Sequence, residues 1–426
     1  MKTTLFTVRL RLLTPGGVTA PEEQRWDDIT TAGQTRTRNT RPLRRDPTGN
    51  PHLPGSTIAG SLRAHCCETP ELAGMFGPCP DAEDRYASPI QILGVTVRSA
   101  AEPGTRGRTA IDRARAAART HTLHAIEYLV AGTEFDIFLR WDDPTEQQHQ
   151  ALTTRLQHWT PTLGAGASIG AGRCQVVGLG EATYDLATND GLAAWLALTN
   201  PAHYPQPQPV TPVTATTARR TTITFRITDA IHIGTGTTRT GEQGQEITEI
   251  TRYGDDFVIP GSSLKGALRS GVEYICRVLD IPACDNATCG QCRPCTLFGH
   301  ASPDTDTPPR RALIAVLDAT VRNPRREQRQ HVTIDRFTGG AHDRLLFTHD
   351  VLVAGEFDLV IEHLTDTDLD PVDDTLLNAV LADLHDGLIG IGARTTAGYG
   401  TVEIIDSTWQ HPDLTNLTTH LTPGPP

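Results

Sequence analysis

The sequence predicts an α+β protein in which one βαββαβ module is written twice in tandem, each copy carrying helices on one sheet face and leaving the other free for a ligand. Three observations predict it. Pro54-Gly55-Ser56-Thr57-Ile58-Ala59-Gly60-Ser61-Leu62-Arg63 returns as Pro260-Gly261-Ser262-Ser263-Leu264-Lys265-Gly266-Ala267-Leu268-Arg269. Further anchors return in the same order: Met75-Phe76-Gly77 as Leu297-Phe298-Gly299, Ile111-Asp112-Arg113 as Ile334-Asp335-Arg336, Leu129-Val130-Ala131-Gly132 as Leu352-Val353-Ala354-Gly355, and Gly164, Gly170 and Gly172 as Gly392, Gly398 and Gly400. Between the anchors, both copies pass through strand-period and helix-period patterning in one shared order, the mark of an internal repeat.

Each element has a local reason. Val8, Leu10 and Leu12 alternate with polar residues, as do Ile223, Phe225 and Ile227, so two strands occupy equivalent places. Arg9 and Arg11 interrupt the first strand where a signal peptide needs an unbroken apolar stretch, which predicts a cytoplasmic protein. After Pro260-Gly261-Ser262-Ser263, the apolar residues Leu264, Leu268, Val272, Ile275 and Leu279 recur at helical spacing, predicting a helix with a serine N-cap. Leu152, Leu156 and Trp159 in one copy, and Leu376, Leu377, Val380, Leu381 and Leu384 in the other, predict a second helix. Five prolines between Asn200 and Thr217 read as an extended linker. The organisation expected is therefore a first domain over 1–198, a linker over 199–220, a second domain over 221–408 with a Cys-rich insertion at about 276–296, and a tail over 409–426.

No apolar run approaches the roughly 18 residues of a membrane-spanning helix, so no membrane partner is expected. The net charge of −12 argues against a polyanion partner only if the charge is evenly spread. It is not: residues 1–130 hold 17 basic against 13 acidic side chains, and residues 341–426 hold 2 against 15. Basic loops can then collect on one face while acidic segments keep the rest soluble.

Three motifs carry chemistry. Pro260-Gly261-Ser262-Ser263 opens a helix, where free backbone N–H groups, hydroxyls and the helix dipole favour an anion. Lys265 follows in the first turn, an unfavourable place for a cation unless a phosphate is near; the first copy has Ala59 there. A Walker A loop is excluded, because Ala267 and Leu268 follow Gly266. Gly392 to Gly400 lets backbone approach a phosphate or base, with Arg394 and Tyr399 offering charge and a stacking face beside Gly398.

Cys284, Cys289, Cys292 and Cys295 supply four soft ligands at C-x4-C-x2-C-x2-C spacing, for which tetrahedral Zn2+ is the natural ion, with Cys276 or His300 as substitutes for one thiolate and an iron–sulfur cluster as the alternative. Arg63 and Phe76 stand 13 positions apart but Arg269 and Phe298 stand 29 apart, so these cysteines occupy an insertion of 16 residues confined to the second copy. So short and polar a segment buries no core of its own, and the metal is expected to be structural.

Together, Ile259 to Gly266, Leu297-Phe298-Gly299, Ile334 to Ala341 and Gly398-Tyr399-Gly400 resemble the RAMP superfamily, and most of all the backbone subunits of type III CRISPR effector complexes. The resemblance implies a modified ferredoxin-like, RRM-like fold and a subunit that lines up with other RAMP subunits, binds a guide crRNA and holds it for pairing with target RNA in antiviral defence. It implies that Ile334 to Phe347 forms a hairpin thumb wedging between guide and target, with Arg336 and, in the first copy, Arg113 near RNA. The residues expected on RNA are Ser262, Ser263, Lys265, Arg269, Arg336, Arg394, Gly398, Tyr399 and Gly400, with Ser56, Arg63, Arg113 and Gly170 in the first copy. Some family members cut target RNA through an aspartate and a divalent metal; here no aspartate stands at the expected place, and the nearest carboxylates are Glu246 and Glu249, which would need Mg2+ or Mn2+. Three functions therefore stand: a non-catalytic RNA scaffold, a metal-dependent endoribonuclease, and a zinc-stabilised assembly protein without RNA.

Overall fold

A computed structural model of the chain describes residues 1–21, 24–29, 35–77, 86–98, 102–112, 117–120, 122–211, 219–241, 245–285, 288–300, 307–365 and 367–418. Arg113, one of the expected RNA contacts, lies outside them, as does part of the linker.

In the first half, alternating apolar residues make β1 (Lys2–Leu12), followed by β2 (Gln24–Ile29), β3 (Thr35–Arg41), α1 (Gly55–Cys66), β4 (Ile90–Val97), β5 (Gly104–Arg108), β6 (His124–Tyr128), β7 (Glu134–Asp142), α2 (Glu146–Gln157), β8 (Cys174–Asp185) and α3 (Asn189–Leu196). The order β8-β1-β7-β4 forms an antiparallel sheet. Ile58 and Leu62 of α1 and Leu152 and Leu156 of α2 are buried in the same core as Val8, Leu10 and Ile137. Thr145 caps α2 with a reciprocal bond to Gln148. Trp159, expected as its last apolar residue, lies beyond the helix end and packs into the core from the following loop.

The second half runs β9 (Arg220–Ile227), β10 (Gly234–Thr240), β11 (Glu246–Ile250), α4 (Gly261–Val278), α5 (Arg293–Phe298), β12 (Ile314–Val316), β13 (Arg322–Ile334), β14 (Ala341–His363), α6 (Pro371–His385) and β15 (Val402–Ile404). Its core strands take the order β15-β9-β14-β12, the same arrangement. The registers coincide too. Leu10 faces Phe135 and Val8 faces Ile137 in one half; Phe225 faces Phe357 and Ile223 faces Leu359 in the other. This mixed α+β architecture fits the expected ferredoxin-like arrangement.

A second layer of strands is also shared. In the first half β2 and β3 form a hairpin, β3 runs parallel to β6, and β6 pairs with β5. In the second, β10 and β11 form the hairpin, β11 runs parallel to the early part of β14, and β14 pairs with β13. Whereas β6 and β7 are separate, β14 is one strand of 23 residues that serves both layers.

The expected serine N-cap of α4 is corrected. Pro260 holds the cap position in extended backbone, and Ser262 and Ser263 lie inside the first turn. The first free N–H of the helix, that of Gly261, instead donates to the Asp318 carboxylate at 2.6 Å. Asp318 also accepts from Tyr253 at 2.9 Å and from Arg106 of the first half at 3.1 Å. One carboxylate thus caps a helix and ties the halves together. Around it, Arg173 pairs with Glu362, Tyr128 meets Tyr253 edge-on, and a Cβ on Gly107 would lie 2.2 Å from the Thr235 carbonyl oxygen.

Replacing Asp318 by Ala strands a guanidinium and a helix N–H together, and a loss of about 2–3 kcal/mol is expected in urea denaturation. Asp318→Asn, which keeps an acceptor, should lose about 1 kcal/mol.

Candidate nucleic-acid interface and metal centre

The residues expected on RNA divide into two groups. Arg63 and Arg269 are equivalent in sequence and do equivalent structural work. Arg63 donates to the Phe76 carbonyl, and Arg269 donates to the Gly299 carbonyl at 2.8 Å. Arg269 also pairs with the buried Glu273 at 2.8 Å and reaches the Cys295 sulfur at 3.5 Å. Both side chains hold a helix to the loop behind it; Arg269 is engaged through all three of its nitrogens, while Arg63 stays exposed.

Lys265 is likewise engaged. Its Nζ donates to Ser168 of the first half at 2.7 Å, and burial, with Arg269 nearby, pushes its ammonium down to about 8. Gly170 sits in the same junction: its φ of +72° favours glycine, and a Cβ there would lie 2.6 Å from the Leu317 side chain. The first glycine turn is therefore seated on the second half rather than facing solvent. The anion predicted at the α4 N-terminus is the chain's own Asp318.

In the second half the glycine turn is open. A Cβ on Gly398 would meet nothing within 4 Å among the described residues. Arg394 occupies left-handed backbone, φ +63° and ψ +29°, and its guanidinium lies 4.7 Å over the Phe347 ring. Tyr399, expected as a stacking face, is buried; its hydroxyl bonds the His331 ring at 2.8 Å, and Arg329 lies over its own ring at 5.3 Å. Gly400 is packed against Ile391 and donates to the Ala230 carbonyl at 2.6 Å. Ser56, in the first turn of α1, is exposed, while Ser262 and Ser263 are half-buried.

Three residues that the sequence reading did not single out complete this surface. His331 and Phe347 are paired across β13 and β14 and stack at 5.4 Å with an angle of 18°. His349, two residues on and so on the same strand face, meets His331 and His232. The alternation of Phe347 with His349 was visible; the pairing of Phe347 with His331, 16 positions earlier, was not.

Beyond this patch β13 and β14 project as a hairpin. Ile334 and Val332 are exposed, Phe337 is fully exposed at the tip, and Arg336 stands beside it. Along β13, Arg322 pairs with Asp358, Arg326 with Asp350 and Arg329 with Asp229. These are partly exposed pairs, which exchange readily for another anion.

Glu246 and Glu249 do not form a metal pair. Both lie on β11, three residues apart and therefore on opposite faces of the strand, and Glu249 pairs with Arg239 at 3.5 Å.

The four cysteines of the insertion do converge. Three of the sulfur–sulfur distances are 3.4, 3.8 and 3.9 Å, and all four sulfur atoms lie within 4.8 Å of one another, close to the about 3.8 Å expected around one tetrahedral ion at metal–sulfur distances of about 2.3 Å. They can hold a metal such as zinc. That spacing suits a single ion shared by all four thiolates. Burial pushes the Cys284 thiol up, but N–H and thiol donors from Cys289, Cys295 and Thr288 bring it down to about 6, the state a metal ligand needs. Gly290 is at φ +67°, and a Cβ there would lie 2.6 Å from His300, so the knuckle can turn only with glycine. His300 lies against the knuckle and Cys276 is buried in α4; neither belongs to the ligand set. A second group, His385, Asp386 and His411, is less suited to a cation: His385 Nδ1 accepts from the Ile404 N–H, which leaves the neutral ring's proton on Nε2.

Residues 224–403 match the RAMP superfamily. The RAMP match covers β9 to β15 and contains the hairpin, the open glycine turn and the cysteine knuckle. It supports an RNA-binding theme for this half. No curated protein matches the chain. No helix among the described residues is long and apolar enough to cross a membrane.

Elemental analysis of the purified chain should return one zinc per molecule. Cys295→Ser, or a strong chelator, should remove it and lower the melting temperature by about 5–10 °C.

Proposed function

We propose that the chain is a double-RAMP, guide-RNA-binding backbone subunit of a type III CRISPR ribonucleoprotein, which positions guide and target RNA without cutting them. The observation that carries this reading is the β13–β14 hairpin. An isolated projection that exposes Val332, Ile334 and Phe337 beside Arg336 is unfavourable in water, and it fits insertion between bases of a strand whose phosphates the arginines of β13 accept. The base of the hairpin opens onto Arg394 and Phe347, so charge and an aromatic face lie along one path.

The junction between the halves supports a subunit that lines up with others. Within the chain, Gly170 of the first glycine turn packs on Leu317. The matching pieces are both unpaired: Leu93, which corresponds to Leu317, is 41% exposed, and the turn around Gly398, which corresponds to Gly170, is open. A contact of this head-to-tail kind does not close on itself and extends into a row. The outer socket lacks the polar fastening of the inner one, having Gly94 where Asp318 stands and Ala59 where Lys265 stands.

Single-stranded RNA should bind the purified protein with an affinity that falls steeply with salt, and added Mg2+ or Mn2+ should produce no cleavage; strand scission lost in Glu246→Ala or Glu249→Ala would establish the endoribonuclease instead. Arg336→Glu with Phe337→Ala should weaken binding about tenfold or more in a filter or anisotropy titration. Leu93→Arg should leave RNA binding by one chain in place while reducing higher assemblies in sedimentation velocity; unchanged assembly would exclude this socket.

A further inference from the structure

We propose that the His232, His331 and His349 cluster beneath Arg394 takes up a proton when a phosphodiester of single-stranded RNA docks there, so that the second half grips the strand more tightly as pH falls. The inference rests on the RNA-binding reading above and adds a coupled ligand, the proton, to the same site.

The rings of His232 and His349 are 4.8 Å apart, and those of His331 and His349 are 5.4 Å apart. His232 Nδ1 bonds the Asp350 carbonyl at 2.7 Å, which places its proton there and leaves Nε2 as a lone pair. His349 is only 8% exposed, yet neither of its ring nitrogens has a hydrogen-bond partner among the described residues. A buried imidazole with no acceptor for its N–H is an unfinished arrangement, and a phosphate oxygen is an acceptor that would complete it.

Arg394 is the second observation. The first half gives the corresponding turn position to Gly166, also in left-handed backbone. An arginine held there is strained, a sign that its side chain is needed where it lies, over Phe347 and next to the imidazoles.

The charges around the cluster set the direction. From the glycine turn come Arg394 and the Tyr399 hydroxyl; from β13 comes Arg329, matched to Asp229. Behind the rings Asp350 lies between Arg239 and Arg326, and Arg239 also meets Glu249 from β11. The facing carboxylates are thus shared with arginines, and Arg394 bears most directly on the rings. Burial first, then the neighbouring imidazole of His232 and Arg394, push His349 down to about 4; burial and nearby cations also lower His331 and His232. All three rings are therefore neutral in the free protein near neutral pH. A phosphate on Arg394 offsets that cation and raises the imidazole affinity for protons; by reciprocity, protonation then raises the affinity for the phosphate. The gain begins as pH drops below the bound-state value and is complete below the free-state value.

The first half offers a contrast within the same molecule. By the register of the shared strands, Gly17 stands where His232 is, Ile126 where His349 is and Ala171 where Tyr399 is. The linkage is confined to the second half.

The test is the affinity of the full chain for a labelled single-stranded RNA oligonucleotide at constant ionic strength, from about pH 8 to about pH 5.5. The wild type should tighten roughly tenfold as pH falls from about 7.5 to about 6, as uptake of about one proton on binding requires. His331→Gln and His349→Gln should each flatten that slope to less than about twofold, and imidazole resonances assigned through these variants should titrate at higher pH once RNA is added. His331 is half-exposed on the hairpin, so its variant tests the linkage even where the core variant fails to fold. A flat wild-type profile, or one unchanged in His331→Gln, would overturn the linkage and leave RNA binding standing. No binding at any pH would overturn both.

Discussion

The Asp318 carboxylate is the point on which the arrangement turns. It accepts from the first N–H of α4, from Tyr253 and from Arg106, and so fixes at once where a helix of the second half begins and how the first half lies against it. Because the N-terminus of α4 is satisfied internally, Lys265 is free to reach across to Ser168, and the first glycine turn is consumed in building the junction. A polyanion bound as proposed would meet the face of the second half: the open turn with Arg394, the stacked His331 and Phe347, and the hairpin beyond them.

The two halves therefore resemble each other in topology and differ in use. Both hold an arginine of the first helix against a carbonyl of the following loop, a contact that depends only on helix geometry and survives the insertion in the second half. The insertion, closed by four convergent cysteines, hangs from that same arginine, since Arg269 touches both Gly299 and Cys295. A metal there would stiffen the helix that carries Lys265.

Much of this was legible in the sequence because repetition makes position informative. Alignment of the two copies placed both core strands, both pairs of helices, the insertion and the glycine turns, and the cysteine spacing picked out the four thiols that converge. Where the reading went astray, the reason is long-range pairing. Ser262 and Ser263 look like caps until a carboxylate 57 residues from Gly261 takes the N–H, and Arg269 looks like a phosphate ligand until the loop behind it presents a carbonyl. Glu246 and Glu249 look like a pair until the strand turns them to opposite faces. Extending the repeat by a few residues would have set Gly94 beside Asp318 and pointed to a carboxylate that the first half lacks at that place.

The continuity of β14 has a mechanical meaning. In the first half the chain breaks between β6 and β7 at Leu129 to Thr133, so a pull on the outer strands is absorbed by a turn. In the second half the hairpin and the central sheet share a single unbroken ribbon from Ala341 to His363, hydrogen-bonded along both stretches. The finger is thus the free end of a beam whose other end is clamped in the core, where Phe357, Leu359 and Ile361 of the same strand are buried with Leu376 and Val380 of α6.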